Sequence, residues 1–272
     1  MRVEIKGDCG MYAEERQQHI ETQLAEAGRV AVIELARTLD VSSETVRRDL
    51  DQLEARGVLR RVHGGAVSAA RISRIEESVA QRTDRNSDAK ERIALAAIAL
   101  IPSTFVGAIS IDSGTTTSRF AQHLVDWKPE SSDGTLTVIT HSISIASIVS
   151  ENPHIDVQIV GGRLRGLTGA AVGATTLDQL AGIRPDISFL GANGVHADFG
   201  FSTPDPDEAA VKSALTRGSH RAIALVDHSK LGIETLMSFA PLSDVDTVIT
   251  DQAPDAELAL ALEHAGVETV IA

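Results

Sequence analysis

The chain of 272 residues has little cysteine, few aromatic residues and no long apolar run. Its one cysteine, Cys9, excludes a disulfide within the chain and a cysteine-rich metal site, and it suits a reducing compartment. The longest apolar run, Ile93 to Ile101, is too short to cross a bilayer, and residues 1–10 lack the apolar core of a signal peptide. We therefore expect a cytoplasmic protein that has no membrane partner.

Aromatic residues make up only 3% of the chain, whereas 43% of it is hydrophobic. The core must then consist mostly of alanine, valine, isoleucine and leucine, which favours buried parallel strands flanked by helices. A chain of 272 residues also exceeds what most single cores need, so we expect two domains.

Acidic residues outnumber basic ones, and the formal net charge is −13. Residues 1–70 contain 10 Lys and Arg against 12 Asp and Glu, a net of −2, so the rest of the chain carries −11. Residues 55–75 nevertheless contain no acid and five arginines: Arg56, Arg60, Arg61, Arg71 and Arg74. This local basic segment is typical of a nucleic-acid surface, and the acidic remainder should lie away from it.

Three short helices are predicted in the first seventy residues. The first begins near Met11 and ends at Gly28, and the second covers Val32 to Leu39. After a turn at Asp40 and Val41, Ser42 is the N-cap of a third helix that ends near Ala55 and turns Val46, Leu50 and Leu53 inward. Two helices joined by such a tight turn are typical of a helix-turn-helix. Because the first predicted helix begins at Met11, we expect residues 1–10 to be a disordered tail or the result of a wrongly assigned start.

A basic strand, Val58 to His63, follows this motif and turns at Gly64 and Gly65, which predicts a wing. Small polar residues and arginines on the outer face of the third helix are suited to base edges and phosphates. The predicted DNA contacts are Ser42, Ser43, Glu44, Thr45, Arg47, Arg48, Arg60, Arg61 and His63. A small helical bundle with solvated arginines is the simpler alternative.

Strands and helices alternate after a polar linker at residues 68–89, which has room for one short helix. Strands are predicted at 108–112, 136–140, 157–160, 187–190, 222–226, 247–250 and 269–271. Helices are predicted from near Lys90 to Leu100 and at 118–124, 143–150, 208–214 and 256–265. This order indicates parallel strands joined by helices, with ligands bound beyond the carboxyl ends of the strands. We expect a DNA-binding domain at 11–67, a sensor domain at 90–252, and a helix and strand at 253–272 that complete it.

Hydroxyl-rich and glycine-rich turns follow the predicted strands. Residues Asp112, Ser113, Gly114, Thr115, Thr116 and Thr117 open a helix, where backbone N–H groups favour an anion. This turn is a candidate phosphate cradle, although a capping loop is the alternative, and it lacks the Gly-Lys-Ser/Thr of a nucleotide-binding loop. Other candidates are Thr140, Gly161, Gly162, Asp205, Glu208, Lys212 and Lys230. Glu208 and Lys212 are also four residues apart, as in an ordinary surface ion pair.

Long stretches of the chain resemble the DeoR family of transcriptional repressors. In the first domain these are VSSETVRRDL at 41–50 and GVLRRVHGGA at 57–66; in the second they are IDSGTTT at 111–117, VGG at 160–162, EAAVK at 208–212, DHSK at 227–230 and APLS at 240–243. The resemblance implies a winged helix-turn-helix followed by a mostly parallel α/β sensor domain similar to ribose-5-phosphate isomerase. It also implies that residues 112–117 bind a phosphate, and that Glu208, Lys212 and Lys230 line the pocket. His141 departs from the family, which often has asparagine there.

The resemblance implies a repressor of carbohydrate uptake or metabolism genes that a phosphorylated sugar releases from operator DNA. We expect a homodimer or homotetramer, because operators are commonly symmetric. No cofactor and no metal site are expected, since the nine histidines fall into no ligand spacing. The alternative is a sugar-phosphate isomerase in which Glu208 and Lys212 move protons.

Overall fold

A computed structural model describes residues 13–27, 29–56, 58–62, 64–68, 79–131 and 135–272. The chain divides into two compact units, Met1–Ile75 and Glu76–Ala272. This boundary falls inside the segment predicted as the linker, and residues 79–89 of that segment belong to the second unit. The predictions for residues 1–12, Gly28, Gly57 and His63 lie outside the described residues.

The first unit contains three helices and a small antiparallel sheet. The elements are α1 (Ala13–Ala27), β1 (Arg29–Ala31), α2 (Val32–Thr38), α3 (Ser43–Ala55), β2 (Leu59–Val62) and β3 (Gly65–Ser68). The strand order is β1-β3-β2, so the wing hairpin is extended by a strand from the α1–α2 connection. The predicted winged helix-turn-helix is confirmed. Strand β1 was not predicted, because its three residues are too few to show a strand pattern.

The helices pack their predicted apolar faces together. Ile20, Val46, Leu50 and Leu53 are fully buried in one cluster, and Leu35 is nearly so. Burial of this kind is the main source of helix stability in a domain of this size. The turn between α2 and α3 is tight because Asp40 adopts a left-handed conformation, with φ 50°.

The second unit is an α/β domain. Its helices are α4 (Val79–Thr83), α5 (Ser87–Ile98), α6 (Thr115–Leu124), α7 (Ile143–Val149), α8 (Ala174–Ala181), α9 (Pro206–Gly218) and α10 (Ala256–His264). Its strands are β4 (Gly107–Ile111), β5 (Leu136–Thr140), β6 (Ile155–Ile159), β7 (Arg163–Arg165), β8 (Ala170–Val172), β9 (Ile187–Gly191), β10 (Gly194–His196), β11 (Gly200–Thr203), β12 (Arg221–Leu225), β13 (Met237–Ala240), β14 (Thr247–Thr250) and β15 (Glu268–Ile271).

Seven strands form one parallel sheet in the order β15-β14-β12-β9-β4-β5-β6. The central strands are buried on both faces, as their nearly continuous apolar sequences require. From β4 the chain proceeds first toward β6 and then back across β9 toward β15, which makes the β4–β9 boundary the switch point of the sheet. Ligand clefts form at such points, beyond the carboxyl ends of the strands. The predicted parallel α/β fold is confirmed.

Several short elements were not predicted. These are α8, the β7–β8 hairpin and a second antiparallel sheet of order β10-β11-β13. Their strands have three or four residues, too few to show a period, and β11 also pairs with β13, which is distant in sequence. No helix within the described ranges is both long and apolar enough to cross a membrane.

Candidate functional site

Helix α3 presents a polar face suited to DNA. Ser42 caps the helix by accepting a hydrogen bond from the Thr45 backbone N–H, at 3.1 Å, as predicted from its position. Glu44, Arg47 and Arg48 are exposed on the helix. Arg47 and Glu44 approach to 3.4 Å, but such an exposed pair contributes little and leaves the arginine able to turn toward a phosphate.

Asp49 faces the opposite way, into the first unit. The carboxylate is only 3% exposed and accepts two hydrogen bonds from the Arg16 guanidinium, at 2.8 and 3.2 Å. A bidentate pair of this kind fixes the orientation of α3 against α1. The aspartate of the 41–50 motif is therefore structural, which sequence periodicity did not reveal.

The wing is tied to α3 by Arg61. Its guanidinium pairs with Asp51 and donates to the Arg47 carbonyl at 3.3 Å, while its backbone N–H donates to Glu54 at 2.8 Å. Arg61 thus holds the wing beside the helix that carries the predicted DNA contacts. Of the other wing candidates, the Arg60 side chain and His63 lie outside what the structure describes.

A cleft of about 640 Å³, open to solvent, lies at the switch point of the second unit. Predicted residues that line it are Ser113, Gly114, Thr115, Thr116, Glu208, Lys212 and Lys230. Residues that the predicted set did not include are Arg82, Arg85, Lys90, Thr168, Gly191, Ala192, Asn193, Leu225, Val226 and Asp227. The lining has five cationic side chains against two carboxylates, although the chain as a whole is acidic.

The turn after β4 forms one wall of this cleft. Helix α6 starts at Thr115, so the N–H groups of its first turn have no partner within the helix. Thr117 is fully buried and donates to the Gly114 carbonyl at 3.1 Å, which stabilises the turn from behind. Ser113, Gly114, Thr115 and Thr116 are left facing the cleft, an arrangement that suits an anion.

The floor of the cleft is a buried ionic network. Asp112 is fully buried; it pairs with the Lys212 ammonium, accepts from the Gly191 N–H at 3.0 Å and lies 3.1 Å from His141 Nε2. Burial alone would raise the pKa of the Asp112 carboxyl, but Lys212 and His141 outweigh it and hold that pKa below its usual value. Asp112 therefore stays ionised and holds Lys212 in position. His141 is a further hydrogen-bond partner of the Asp112 carboxylate.

Glu208, one turn before Lys212 on α9, belongs to a second network. Its carboxylate accepts from Thr168 Oγ1 at 2.5 Å and from Arg165 at 3.1 Å. Arg165 also pairs with Asp205, the N-cap of α9, at 3.1 Å. Asp205 was predicted to contact the ligand; the structure places it behind Arg165 and away from the cleft lining.

Lys90 is the residue that sequence reasoning missed most clearly. It is 4% exposed, and its ammonium donates to the carbonyls of Arg82 and Arg85, the latter at 2.6 Å. No carboxylate of the described residues lies within 4 Å of it. Burial lowers the pKa of Lys90 from 10.5 to about 8, although the Asp227 carboxylate acts in the opposite direction. Its position on the inner face of α5 could have identified it, because a lysine that is buried there must contact a polar group.

Asp227 completes this end of the cleft. It accepts hydrogen bonds from Asn86 at 2.9 Å and from the Ser229 side chain at 2.5 Å. Burial favours its neutral form, yet these bonds and the Lys230 charge keep the pKa of Asp227 below its usual value. The negative charge of Asp227 offsets part of the local positive charge.

Three further candidates are not among the lining residues. Thr140 is buried and donates to the Ile111 carbonyl at 2.7 Å, so it links β5 to β4. Gly161 accepts from Thr176 at 2.9 Å, and a Cβ on Gly162 would lie 2.0 Å from Thr176 Oγ1. The close approach of α8 to the end of β6 therefore explains Gly162, and Gly161 is bound to the same helix through its backbone. The described residues also contain no cluster of three or more His, Cys, Asp or Glu side chains that could hold a metal.

Two family models match the chain. The DeoR-like helix-turn-helix domain matches residues 16–72, and the DeoR C terminal sensor domain matches residues 85–252. The chain belongs to the DeoR family. The DeoR family consists of DNA-binding transcriptional regulators, and both halves of its architecture are present here.

Curated relatives agree with this assignment over most of their length. An uncharacterized HTH-type transcriptional regulator of Bacillus subtilis, FruR, is 36% identical over 242 residues, which cover 89% of this chain and 92% of the relative. The HTH-type transcriptional repressor GlcR of B. subtilis is 30% identical, covering 96% of this chain and 97% of its own. The glycerol-3-phosphate regulon repressor of Escherichia coli is 31% identical, covering 84% and 86%.

Solved structures show weaker likeness. Ribose 5-phosphate isomerase A of Methanocaldococcus jannaschii is 21% identical with a TM-score of 0.39, covering 54% of this chain and 55% of the isomerase. A probable sor operon regulator of Shigella flexneri is 8% identical with a TM-score of 0.39, covering 78% and 97%. At these values the likeness carries no functional conclusion.

Proposed function

We propose that this DeoR-family protein represses genes of carbohydrate uptake or metabolism and is released from its operator by a phosphorylated sugar. One observation carries the second half of the proposal. The cleft places the nearly buried cation of Lys90 and the amide-rich turn Ser113 to Thr116 in one lining. None of the described residues places a carboxylate within 4 Å of the Lys90 ammonium, and a bound phosphate would supply that negative charge. The name of the glycerol-3-phosphate regulon repressor supports a small phosphorylated polyol.

The other end of the cleft suits the hydroxyl groups of a sugar. Glu208, Thr168 and Asn193 offer oxygen and nitrogen atoms there, and Lys212 is held in place by Asp112. Glu208 Oε1 already accepts hydrogen bonds from Arg165 and Thr168, so structural partners hold this carboxylate in place. We therefore propose a binding site without turnover. Steady conversion of ribose 5-phosphate or another sugar phosphate by the purified protein would contradict this.

Operator binding is assigned to the face that Ser42, Ser43, Glu44, Thr45, Arg47 and Arg48 form, with Arg60, Arg61 and His63 of the wing. Binding to a symmetric operator would require a homodimer or homotetramer. The effector changes DNA affinity only by the difference between its affinities for two states of the protein. Typical couplings of about 1–3 kcal/mol would change that affinity roughly 5–150-fold.

The decisive experiment is fluorescence anisotropy on DNA upstream of the protein's own gene, at fixed salt because phosphate contacts make affinity salt-dependent. A panel of sugar phosphates is compared with the same sugars lacking phosphate. Release by one phosphate ester and not by its free sugar is expected. Specific DNA binding that no compound changes would contradict the proposed sensing of a sugar phosphate, and the proposed operator binding would remain supported.

Arg48 provides a test of the DNA-binding face. Replacing this exposed residue by alanine should weaken operator binding by about 1–3 kcal/mol, roughly 5–150-fold, because an arginine contact to a base or phosphate is lost. Arg184→Ala in the second unit, also exposed, removes the same charge and should leave the affinity unchanged. Equal effects of the two substitutions would mean that only net charge matters.

The pH dependence of anion binding tests Lys90. Its ammonium is charged below a pKa of about 8 and neutral above it, so the contribution of Lys90 to affinity is complete below that pKa and is lost as the pH rises through it. With inorganic sulfate, whose charge is constant, the dissociation constant should rise about tenfold or more between about pH 7.5 and 9.5. Calorimetric titration measures this. Lys90→Arg keeps its charge throughout, so its profile should lack the loss of affinity that Lys90 causes between about pH 7.5 and 9.5.

A further inference from the structure

His141 follows β5 and lies beneath the cleft, only 2% exposed. Its ring connects the end of β4 with strand β8. On one side it meets Asp112, which positions Lys212; on the other it meets Ala171 of β8. Strand β8 pairs with β7, which carries Arg165 and so reaches Glu208. The predicted set of binding residues did not include this histidine.

Both ring nitrogens face oxygen atoms that accept hydrogen bonds. Nδ1 lies 2.9 Å from the Ala171 carbonyl, and Nε2 lies 3.1 Å from Asp112 Oδ1. A neutral imidazole carries one N–H, so it leaves one nitrogen lone pair against an oxygen. The Ser113 N–H, 3.3 Å from Nε2, can face that lone pair, but the ionised Asp112 carboxylate remains beside it. Only the doubly protonated ring donates to both oxygens.

Few charged groups face the ring. Asp112 is the one carboxylate of the described residues within 4 Å of it, and Lys212 acts through Asp112. Ala171 and Ser113 contribute backbone atoms alone. With Lys212 and Asp112 balanced, protonation of His141 adds one positive charge directly below Ser113.

We propose that His141 is a positioning residue whose protonation is coupled to anion binding in the cleft. The inference rests on the proposed function, because it requires a phosphate at Ser113 to Thr116. An anion above Ser113 favours the protonated ring, and by reciprocity the protonated ring favours the anion. The protonated ring also holds Asp112 and β8 together, and so keeps Lys212 and Arg165 in place. Release of the protein from DNA would then be stronger at lower pH.

Nuclear magnetic resonance of the ¹⁵N-labelled full chain tests this with inorganic sulfate as the probe. The ring resonances of His141 are identified by their absence in His141→Asn, and the pH midpoint of their titration is measured with and without sulfate. We expect sulfate to move the midpoint of His141 to higher pH. The exposed His154 is the internal control, and its midpoint should stay constant.

His141→Asn separates this role from a merely structural one. Its amide donates to Asp112 and does not titrate, so sulfate should bind with a pH profile that lacks the histidine component and retains that of Lys90. Melting curves establish that the variant is folded. If sulfate perturbs the Ser113 to Thr116 amides while the His141 midpoint stays fixed, the inference is overturned and the proposed function stands. Sulfate that leaves those amides unperturbed would overturn both.

Discussion

Replacing Lys212 by methionine is expected to lower the free energy of unfolding of the second unit by about 3–5 kcal/mol, because it leaves the Asp112 carboxylate charged and without its cation in the interior. Asp112 is fully buried and Lys212 is 3% exposed, so little water reaches this ion pair. Methionine preserves the chain length and the packing beside Phe239, where the ammonium lies 5.7 Å from the ring centroid.

The measurement is urea unfolding followed by the fluorescence of Trp127. This is the single tryptophan of the chain and is buried in the core of the second unit, so its signal reports on that unit alone. The double variant Asp112→Asn/Lys212→Met removes both charges and should recover a large part of the loss. A loss below about 1 kcal/mol in the single variant would mean that the Gly191 and His141 contacts satisfy Asp112 by themselves.

The second large effect is expected for ligand affinity. Lys90→Met should weaken binding of the sugar phosphate that releases the protein from DNA by about 1.5–3 kcal/mol, roughly 10–150-fold, which is the contribution of a hydrogen bond to a charged group. Operator affinity without ligand should be unchanged, since Lys90 belongs to the second unit. Anisotropy with the operator, titrated with that sugar phosphate, gives both values.

Two further variants control this result. Lys128→Met removes the same charge from an exposed position and should bind the ligand normally. Lys90→Arg keeps the cation, and retention of most of the affinity would identify charge as the cause. Because Lys90 also donates to two carbonyls, melting curves accompany the titrations. Normal release of a folded Lys90→Met variant would exclude Lys90 as the phosphate partner.

Residue pattern predicted the first unit well for a physical reason. Helix α3 has its N-cap at Ser42 and buries Val46, Leu50 and Leu53 on one face, so capping and a 3.6-residue period are both visible in the sequence. The strands β5 and β14 were placed at their observed bounds, because each is a short apolar run bounded by polar turns. The β7–β8 hairpin and β10 have three-residue strands without a period, and they were missed.

The cleft residues were predicted at the turn after β4 and at Lys230, and they were missed at Arg82, Arg85 and Lys90, which follow no strand of the sheet. Ser113 to Thr116 and Lys230 stand after β4 and β12, and the rule that ligands bind beyond strand ends identified them. Gly161 and Gly162 satisfy the same rule at β6, yet they pack against α8. The rule that ligands bind beyond strand ends identifies only the carboxyl edge of the sheet. The strand order decides which loops meet at that edge.

The sequence by itself determined the two-part organisation, the helix-turn-helix with its wing and the parallel α/β class, because these depend on local period, capping and composition. It also indicated the turn after β4 as the candidate anion site. Only the tertiary structure decided that Lys90 lies in the cleft, that Asp49 pairs with Arg16, and that His141 joins Asp112 to β8. Those pairs join residues far apart in sequence. Burial gives them their strength, since charge interactions and pKa shifts depend on the exclusion of water.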